Sequence, residues 1–436
     1  MRERYVLLGL ARARSDWFRT VGRWSTAAML PAEFVRCVSS QELRARLRSG
    51  RAFSAVLVDG SLPGVDRDLI AEAGELGVAV LVVDTETTRD WRELGAAAVL
   101  AEAFSRDELL EILKATSSPV GTALLAPDRD GELPGGEPGG LVAVTGPGGT
   151  GASTVAIALA QGLAAEADDQ AARPGVLLAD LCRAADQAML HDARILVPSI
   201  QELVEAHRTG KPSSPAVVDQ TFDVPARGYR VLLGLRRPRH WVALRPRALE
   251  QTLDSLQRAF DVVVADVEAD VEGEAETGSA DVEDRNRLSR TVLARAEVVL
   301  VVAGPGMQGL YAAVRTLNEL LAFGVAPDRL LPVIARGPRS PRARAELTAG
   351  MSGLVGAGAP VGEVVLANPL HLPDRPVDQA LRDGVALPSS MARSLARATE
   401  AIRARAEAPA PADQQLLTRI APGSFSSFTA QEHPGS

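Results

Sequence analysis

Residues 146–154 read Gly-Pro-Gly-Gly-Thr-Gly-Ala-Ser-Thr. They follow the apolar run Leu141-Val142-Ala143-Val144 and precede an apolar helical pattern from Val155 to Leu163. A glycine-rich turn in that setting aims consecutive backbone amides at an anion, and the helix behind it adds the positive end of its dipole. The chemistry this serves is phosphate binding. Ser153 stands where a hydroxyl would hold Mg²⁺. Such a loop normally carries a lysine on the β/γ-phosphates, but that position is Ala152, and the only lysines of the chain are Lys114 and Lys211. Two acids complete the set. Asp180 closes the run from Gly175 to Ala179, and Asp266 closes Val262-Val263-Val264-Ala265. Each therefore falls at the carboxyl end of a parallel strand, where ligands of α/β proteins sit. One could polarise an attacking water while the other holds Mg²⁺ through a water molecule.

The candidate nucleotide-binding residues are thus Gly148, Gly149, Thr150, Gly151, Ala152, Ser153 and Thr154. Ser153 and Asp266 are candidate Mg²⁺ ligands, and Asp180 and Asp266 are candidate catalytic acids. Losing one charge-assisted hydrogen bond costs roughly 1.5–3 kcal/mol, about one to two decades in affinity. Binding of ATP or ADP survives that loss as a weak or vestigial function. Hydrolysis is more exposed, because the missing cation also stabilises the transition state. The expectation is at most a weak ATPase.

The elements that must position these residues follow an α/β grammar. Tyr5 to Leu8, Ala55 to Val58 and Val78 to Val83 are apolar strands, with helical patterns over Ser40 to Leu47 and Asp66 to Glu75. A fourth strand, Ala97 to Leu100, precedes a helix from Ser105, which with Glu108 makes a capping box. Residues 117–140, dense in Gly, Pro and acids, read as a linker. A second parallel-sheet domain spans 141–407, with further strands at Tyr229 to Leu233, Val298 to Val302 and Leu330 to Ile334. The acidic stretch Glu268 to Glu283 reads as a mobile loop, and the tail 408–436 as disordered. The expected division is 1–116, 117–140, 141–407 and 408–436.

Composition narrows the class. At 436 residues, the length prior allows about three domains or fewer. Net charge of −8 speaks against nucleic acid as a partner. Cys37 and Cys182 form neither a disulfide framework nor a zinc site. No run is long enough for a membrane span, and no signal-peptide core is present, so a cytoplasmic protein is expected. Arg236, Arg237, Arg239, His240, Arg245 and Arg247 form one basic patch, and Arg336, Arg339, Arg342 and Arg344 another. Solvated or ion-paired surfaces are the expected reading of both. One arginine replacing the missing lysine remains an open alternative. The helix candidate Met391 to Ala406, with an apolar face mostly of Ala, is too weak for membrane insertion and should pack on its domain.

On these motifs the chain resembles the MinD/ParA superfamily of deviant-Walker ATPases, whose loop reads Lys-Gly-Gly-x-Gly-Lys-Ser/Thr-Thr. Gly148, Gly149, Gly151, Ser153 and Thr154 match, while Pro147 and Ala152 replace both lysines, the first of which reaches across a dimer. Asp180 matches the first switch acid, with Cys182 where a second acid is usual. Asp266 matches the second switch acid. The strand ending Val333-Ile334-Ala335-Arg336 keeps the Arg of an Asn-Arg pair and loses the adenine-reading Asn. Within the superfamily the resemblance is to the CpaE/TadZ-like branch, and more narrowly to the actinobacterial CpaE-like septum-site-determining (Ssd) proteins. It rests on Asp180 through Ile200, Arg230 to Leu233 and Ala259 to Asp266, and on the lysine-free loop itself. It implies a regulator of septum placement and cell division with a degenerate ATP site. The alternative it implies is a localisation factor for Tad-type pilus or secretion assembly, and a further one a nonspecific DNA-binding ParA-like module. Implied partners are division or pilus/secretion machinery and a second copy of the chain as a homodimer. Contact with membrane would be indirect, by recruitment to a pole or septum.

The N-terminal stretch resembles a response-regulator receiver (CheY-like). Asp59 ends the third element, followed by Gly60 to Asp66. A receiver's Mg²⁺-binding acid pair is absent from Leu8-Gly9-Leu10, and its Lys is absent from Glu102-Ala103-Phe104. Without them an aspartate is a poor phosphate acceptor. Asp59 is expected to be an ordinary surface residue of a docking or dimerisation domain.

Overall fold

The computed structural model describes residues 5–12, 15–27, 29–84, 89–120, 138–167, 173–355 and 365–407. Most of the expected linker and the whole expected tail lie outside the described residues.

The first sheet comprises β1 (Tyr5–Leu10), β2 (Ala32–Cys37), β3 (Ala55–Asp59), β4 (Ala79–Val83) and β5 (Ala98–Leu100). All its pairings are parallel, in the order β2-β1-β3-β4-β5. That is the flavodoxin-like doubly wound order, whose ligand crevice lies at the carboxyl ends of β1 and β3. β1 and β3 are buried throughout because helices cover both faces. Two apolar layers result, one around Leu8, Val56, Val58 and Leu69 and the other around Leu7, Leu57, Leu81 and Leu109. The helix Arg106–Thr116 begins with the expected Ser105/Glu108 capping box.

The second sheet comprises β6 (Gly140–Thr145), β7 (Val176–Asp180), β8 (Phe222–Val224), β9 (Tyr229–Leu232), β10 (Val262–Asp266), β11 (Val298–Ala303), β12 (Leu330–Gly337) and β13 (Leu370–Pro373). Its order is β13-β12-β11-β6-β10-β7-β9-β8, and only the edge strand β8 runs antiparallel. The chain starts at the centre, in β6, and later strands add on both sides. The crevice therefore opens at the carboxyl end of β6. The apolar helix Ala152–Ala164 fills one face and is itself covered by the terminal helix Ser389–Glu407. A Cβ on Gly162 would stand 2.2 Å from the carbonyl oxygen of Ala392, so glycine sets how closely these helices approach. Leu395 and Ile402 are buried in that contact, as a domain-packed last helix requires. No helix among the described residues is long and apolar enough to cross a membrane.

One expectation needs correction. The acidic stretch 268–283 is not a featureless loop. It carries the short helices Glu274–Thr277 and Ala280–Arg285. Asn286 donates to Asp270 at 2.8 Å and to the Glu272 carbonyl at 3.0 Å, which ties the stretch down. Val271 is buried in the core beside them, so apolar burial and polar hydrogen bonds act together here. The basic patch 236–247 is in part ion-paired, as expected: Arg236 pairs with Glu202, and Arg247 with Glu250 and Glu75.

That last contact belongs to a set between the two sheets' domains. Arg67 donates to the carbonyls of His207 (3.0 Å) and Gly210 (3.1 Å), at the carboxyl end of the helix Ile200–Thr209. Asp68 accepts from the Arg247 amide at 3.0 Å, in the first turn of the helix Pro246–Ala259. Neighbouring residues of one domain thus cap opposite ends of two helices of the other. Arg208 adds a bond to Asp66, which also caps its own helix through the Leu69 amide.

Candidate functional site

The loop 146–154 joins β6 to the helix Ala152–Ala164, as its sequence requires. Gly149 (φ 79°) and Gly151 (φ 92°) are left-handed, a conformation costly to other residues. A Cβ on Gly148, Gly149 or Gly151 would meet nothing within 4 Å, so these positions border open space. Gly151 is the N-cap, and no side chain caps the helix or places an acid in its first turn. Its first amides therefore remain free for an anion. Thr150 is buried, and its hydroxyl has no partner among the described residues. That hydroxyl lies 2.9 Å from where a Cβ on Gly146 would stand, inside the turn of the loop. These features fit a phosphate. Ala152 opens the helix and supplies only its backbone.

The two acids meet beside the loop. β10 lies between β6 and β7, and Asp266 is in register with Asp180. Both are buried. Asp180 accepts from the amides of Gln187 (2.9 Å) and Cys182 (3.3 Å). Asp266 accepts from Gln187 Nε2 at 2.7 Å and from the Ser153 hydroxyl. No cation pairs with either acid among the described residues. Burial, and then the charge of Asp266, push the Asp180 carboxyl well above its ordinary range. Burial likewise pushes Asp266 up to about 6, against the lowering hydrogen bonds from Gln187 and Ser153. Ligand atoms of Asp180, Cys182 and Asp266 lie within 4.8 Å of one another. A hard divalent cation takes oxygen ligands, so the carboxylates and Ser153 suit Mg²⁺, while the buried Cys182 thiol, its ionisation strongly opposed by burial, does not.

Sequence reasoning missed Gln187. Its amide holds Asp180, and its side chain bonds Asp266 and, at 3.3 Å, the Ser153 carbonyl. It therefore ties both acids to the first turn of the loop's helix. Its Oε1 is buried without a partner. No residue-type pattern marks it; only its place seven residues after Asp180 would have suggested it. Arg336, from the second basic patch, is the arginine of that patch that the structure brings to the loop. It is the penultimate residue of β12, and a guanidinium nitrogen lies 3.4 Å from the Gly149 carbonyl.

The N-terminal crevice is filled differently. Asp59 is not a surface residue; it is 4% exposed at the end of β3. It accepts from the Ser61 amide (3.0 Å) and hydroxyl (2.6 Å) and from Arg12 Nε (3.1 Å). Burial raises its pKa, but the Ser61 bonds and then Arg12 outweigh that and hold it below the usual carboxylate range. Arg12, just past β1, takes the side where a receiver would keep metal-binding acids.

No protein-family profile matches the chain, and no curated protein does. Among solved structures, similar chains include the cell division ATPase MinD of Pyrococcus furiosus, 20% identical over 61% of this chain and 99% of that one, with a TM-score of 0.43. A ParA family ATPase of Chlorobium tepidum is 14% identical over 61% and 98%, with a TM-score of 0.41. A putative plasmid partition protein of Borrelia burgdorferi, bound to AMPPNP, is 12% identical over 62% and 99%, with a TM-score of 0.42. Likenesses this distant do not bear on the chemistry of the site.

Proposed function

We propose that this chain is a spatial regulator of the MinD/ParA type, in its CpaE/Ssd-like branch, acting in septum placement and cell division. Its nucleotide site serves as a conformational latch rather than as an engine of turnover. The observation that carries the reading is the pair of buried, cation-free acids beside an open, uncapped glycine cradle. Two like charges held out of water cost stability, and such a cost persists at sites that answer to a ligand. ATP or ADP would lie on Gly148 to Thr154, and Ser153 and Asp266 would hold Mg²⁺. The cation would neutralise charge on the phosphates and on the acid pair at once.

Gln187 gives the latch its lever. It bonds both acids and the loop helix, so any change at the acids is felt by the chain that follows β7. That chain exposes Met189, Ile195, Leu196 and Val197, an apolar surface of the kind a protein partner or second copy covers. The absent lysine removes the side chain best placed to stabilise charge developing during phosphoryl transfer, so turnover stays slow. The N-terminal domain, with Arg12 closing its crevice, acts as a docking module of the receiver fold and takes no phosphate.

Titration calorimetry with ATP and ADP, with and without Mg²⁺, tests this. Binding by the wild type should disappear in Gly151→Val, because a β-branched residue cannot hold φ 92°. Absence of heat from the wild type would reject the latch. Rapid Mg²⁺-dependent hydrolysis would instead make the protein an ordinary ATPase.

A further inference from the structure

The loop lacks its lysine, and the chain has no other lysine near it in sequence. Among the described residues, the cationic side chain that hydrogen-bonds the loop is that of Arg336, on the Gly149 carbonyl. Three features bear on this arginine, of which the left-handed backbone is its own within the patch. It forms no ion pair with a carboxylate among the described residues, a feature it shares with Arg339 and Arg344 but not with Arg342, which pairs with Glu346. It is exposed between the buried Ala335 and Gly337. Its backbone is left-handed, φ 53°, at a shift in the β12–β13 register between Ile334 and Gly337.

A non-glycine residue in that conformation is strained, and strain at a crevice persists where the surroundings impose it for a purpose. Here it breaks the alternation of β12 and turns the side chain out of the sheet toward the phosphate loop. A guanidinium carries five N–H donors in a planar fork. One contact with Gly149 leaves most of them free, and the fork matches a phosphate's paired oxygens. The unpartnered Thr150 hydroxyl inside the turn independently marks the cradle as built for an acceptor.

We infer that Arg336 is the phosphate cation of this site, supplied from the end of a strand two places away from β6 in place of the loop's own lysine. The inference rests on the nucleotide-binding reading and assigns the polyphosphate, not the base, as the group Arg336 contacts. A cation from a neighbouring strand reports on the spacing of β12 and the loop. It would hold the nucleotide without occupying the lysine's position in the transition state.

Calorimetry of the full chain with Mg·ATP, Mg·ADP and inorganic tripolyphosphate would test it on Arg336→Gly, Arg336→Lys and Arg342→Ala. Glycine accepts φ 53° without strain, so Arg336→Gly should melt no lower than the wild type while losing roughly ten- to hundredfold in affinity for ATP and tripolyphosphate alike. Arg336→Lys should recover part of that loss, and Arg342→Ala should bind as the wild type does. Unchanged ATP binding by Arg336→Gly overturns the assignment and leaves the cradle standing. A loss for ATP but not tripolyphosphate also overturns it, placing the side chain on the base or ribose. A wild type that binds none of the three overturns the nucleotide reading and this inference with it.

Discussion

Asp59 and the pair Asp180–Asp266 occupy equivalent places, the carboxyl ends of central parallel strands, and all three are buried. Asp59 receives a cation and two bonds from Ser61, and its pKa falls. The pair receives bonds from Gln187, Cys182 and Ser153 but no cation, and its pKa values rise. Burial acts in the same direction at both sites, so the difference lies in the neighbours. The first crevice is neutralised from within and has become structure. The second is left with unmatched charge and remains ready for something positive. The same contrast appears in backbone terms: the second crevice keeps left-handed residues at Gly149, Gly151 and Arg336 around open space.

The largest expected effect comes from relieving the unmatched pair. In Asp180→Asn the amide oxygen keeps the Gln187 amide bond (2.9 Å), and the NH₂ takes the place of the other oxygen, giving up the longer Cys182 bond (3.3 Å) in return for removing one of the two buried acids. Without metal at neutral pH this should stabilise the protein by roughly 1–3 kcal/mol, the range for residues in direct contact. For a domain of this size that is about 2–4 °C per kcal/mol. The sign follows from proton counting. The folded pKa values are raised, so between pH 4 and the folded values the native state holds protons that the unfolded chain has released. Stability is then lost as pH rises through that window. The gain from Asp180→Asn should therefore be greatest above Asp266's value of about 6 and fade toward pH 4. Thermal melts in EDTA across that range would show it. A destabilised variant, or a gain independent of pH, would mean that the pair is already compensated.

Much of this contrast was legible in the sequence, and the illegible parts share a cause. The loop, Asp180 and Asp266 stand at junctions that apolar runs and glycines mark, so their place at one sheet edge follows from strand order. Gln187 and Arg12 lie in connecting chain or just past a strand, where residue type carries no period, and Arg336, named with its patch, lies inside β12, where the sequence does not show its contact with the loop. Their roles depend on where a backbone turns, as at φ 53° for Arg336, and single-sequence patterns do not encode that angle. The short edge strands β8 and β13 escaped notice because three or four residues give too little alternation to read. The acidic stretch 268–283 shows no apolar period because its order comes from one buried apolar residue, Val271, and from the bond of Asn286 to Asp270.

A smaller effect should follow from making the first crevice resemble the second. Arg12→Asp replaces the cation beside Asp59 with another carboxylate. Arg12's side chain is 61% exposed, so solvent screens much of the interaction. The expected loss is about 1 kcal/mol or less at neutral pH, measured by denaturant unfolding. Added Mg²⁺ should restore part of it, since two acids at the end of β1 and β3 can then share a cation. A neutral outcome would show that the Ser61 bonds alone hold Asp59.

The smallest effect is confined to the acid limb of the stability curve. Asp59's folded pKa lies below its unfolded value, so its contribution is fully present above about pH 4 and is lost as pH falls through the folded value. Arg12→Ala removes the last-ranked of the lowering influences and leaves the two Ser61 bonds in place. The wild-type and variant curves should run parallel from pH 6 to 8 with a small offset. They should converge as pH falls below 4, because the variant has less of this contribution to lose. Ser61→Ala removes the larger influence and should converge from a wider offset. If instead Arg12→Ala produced the wider offset, the guanidinium rather than the Ser61 turn would be what closes the first crevice. The two domains would then differ by that single cation.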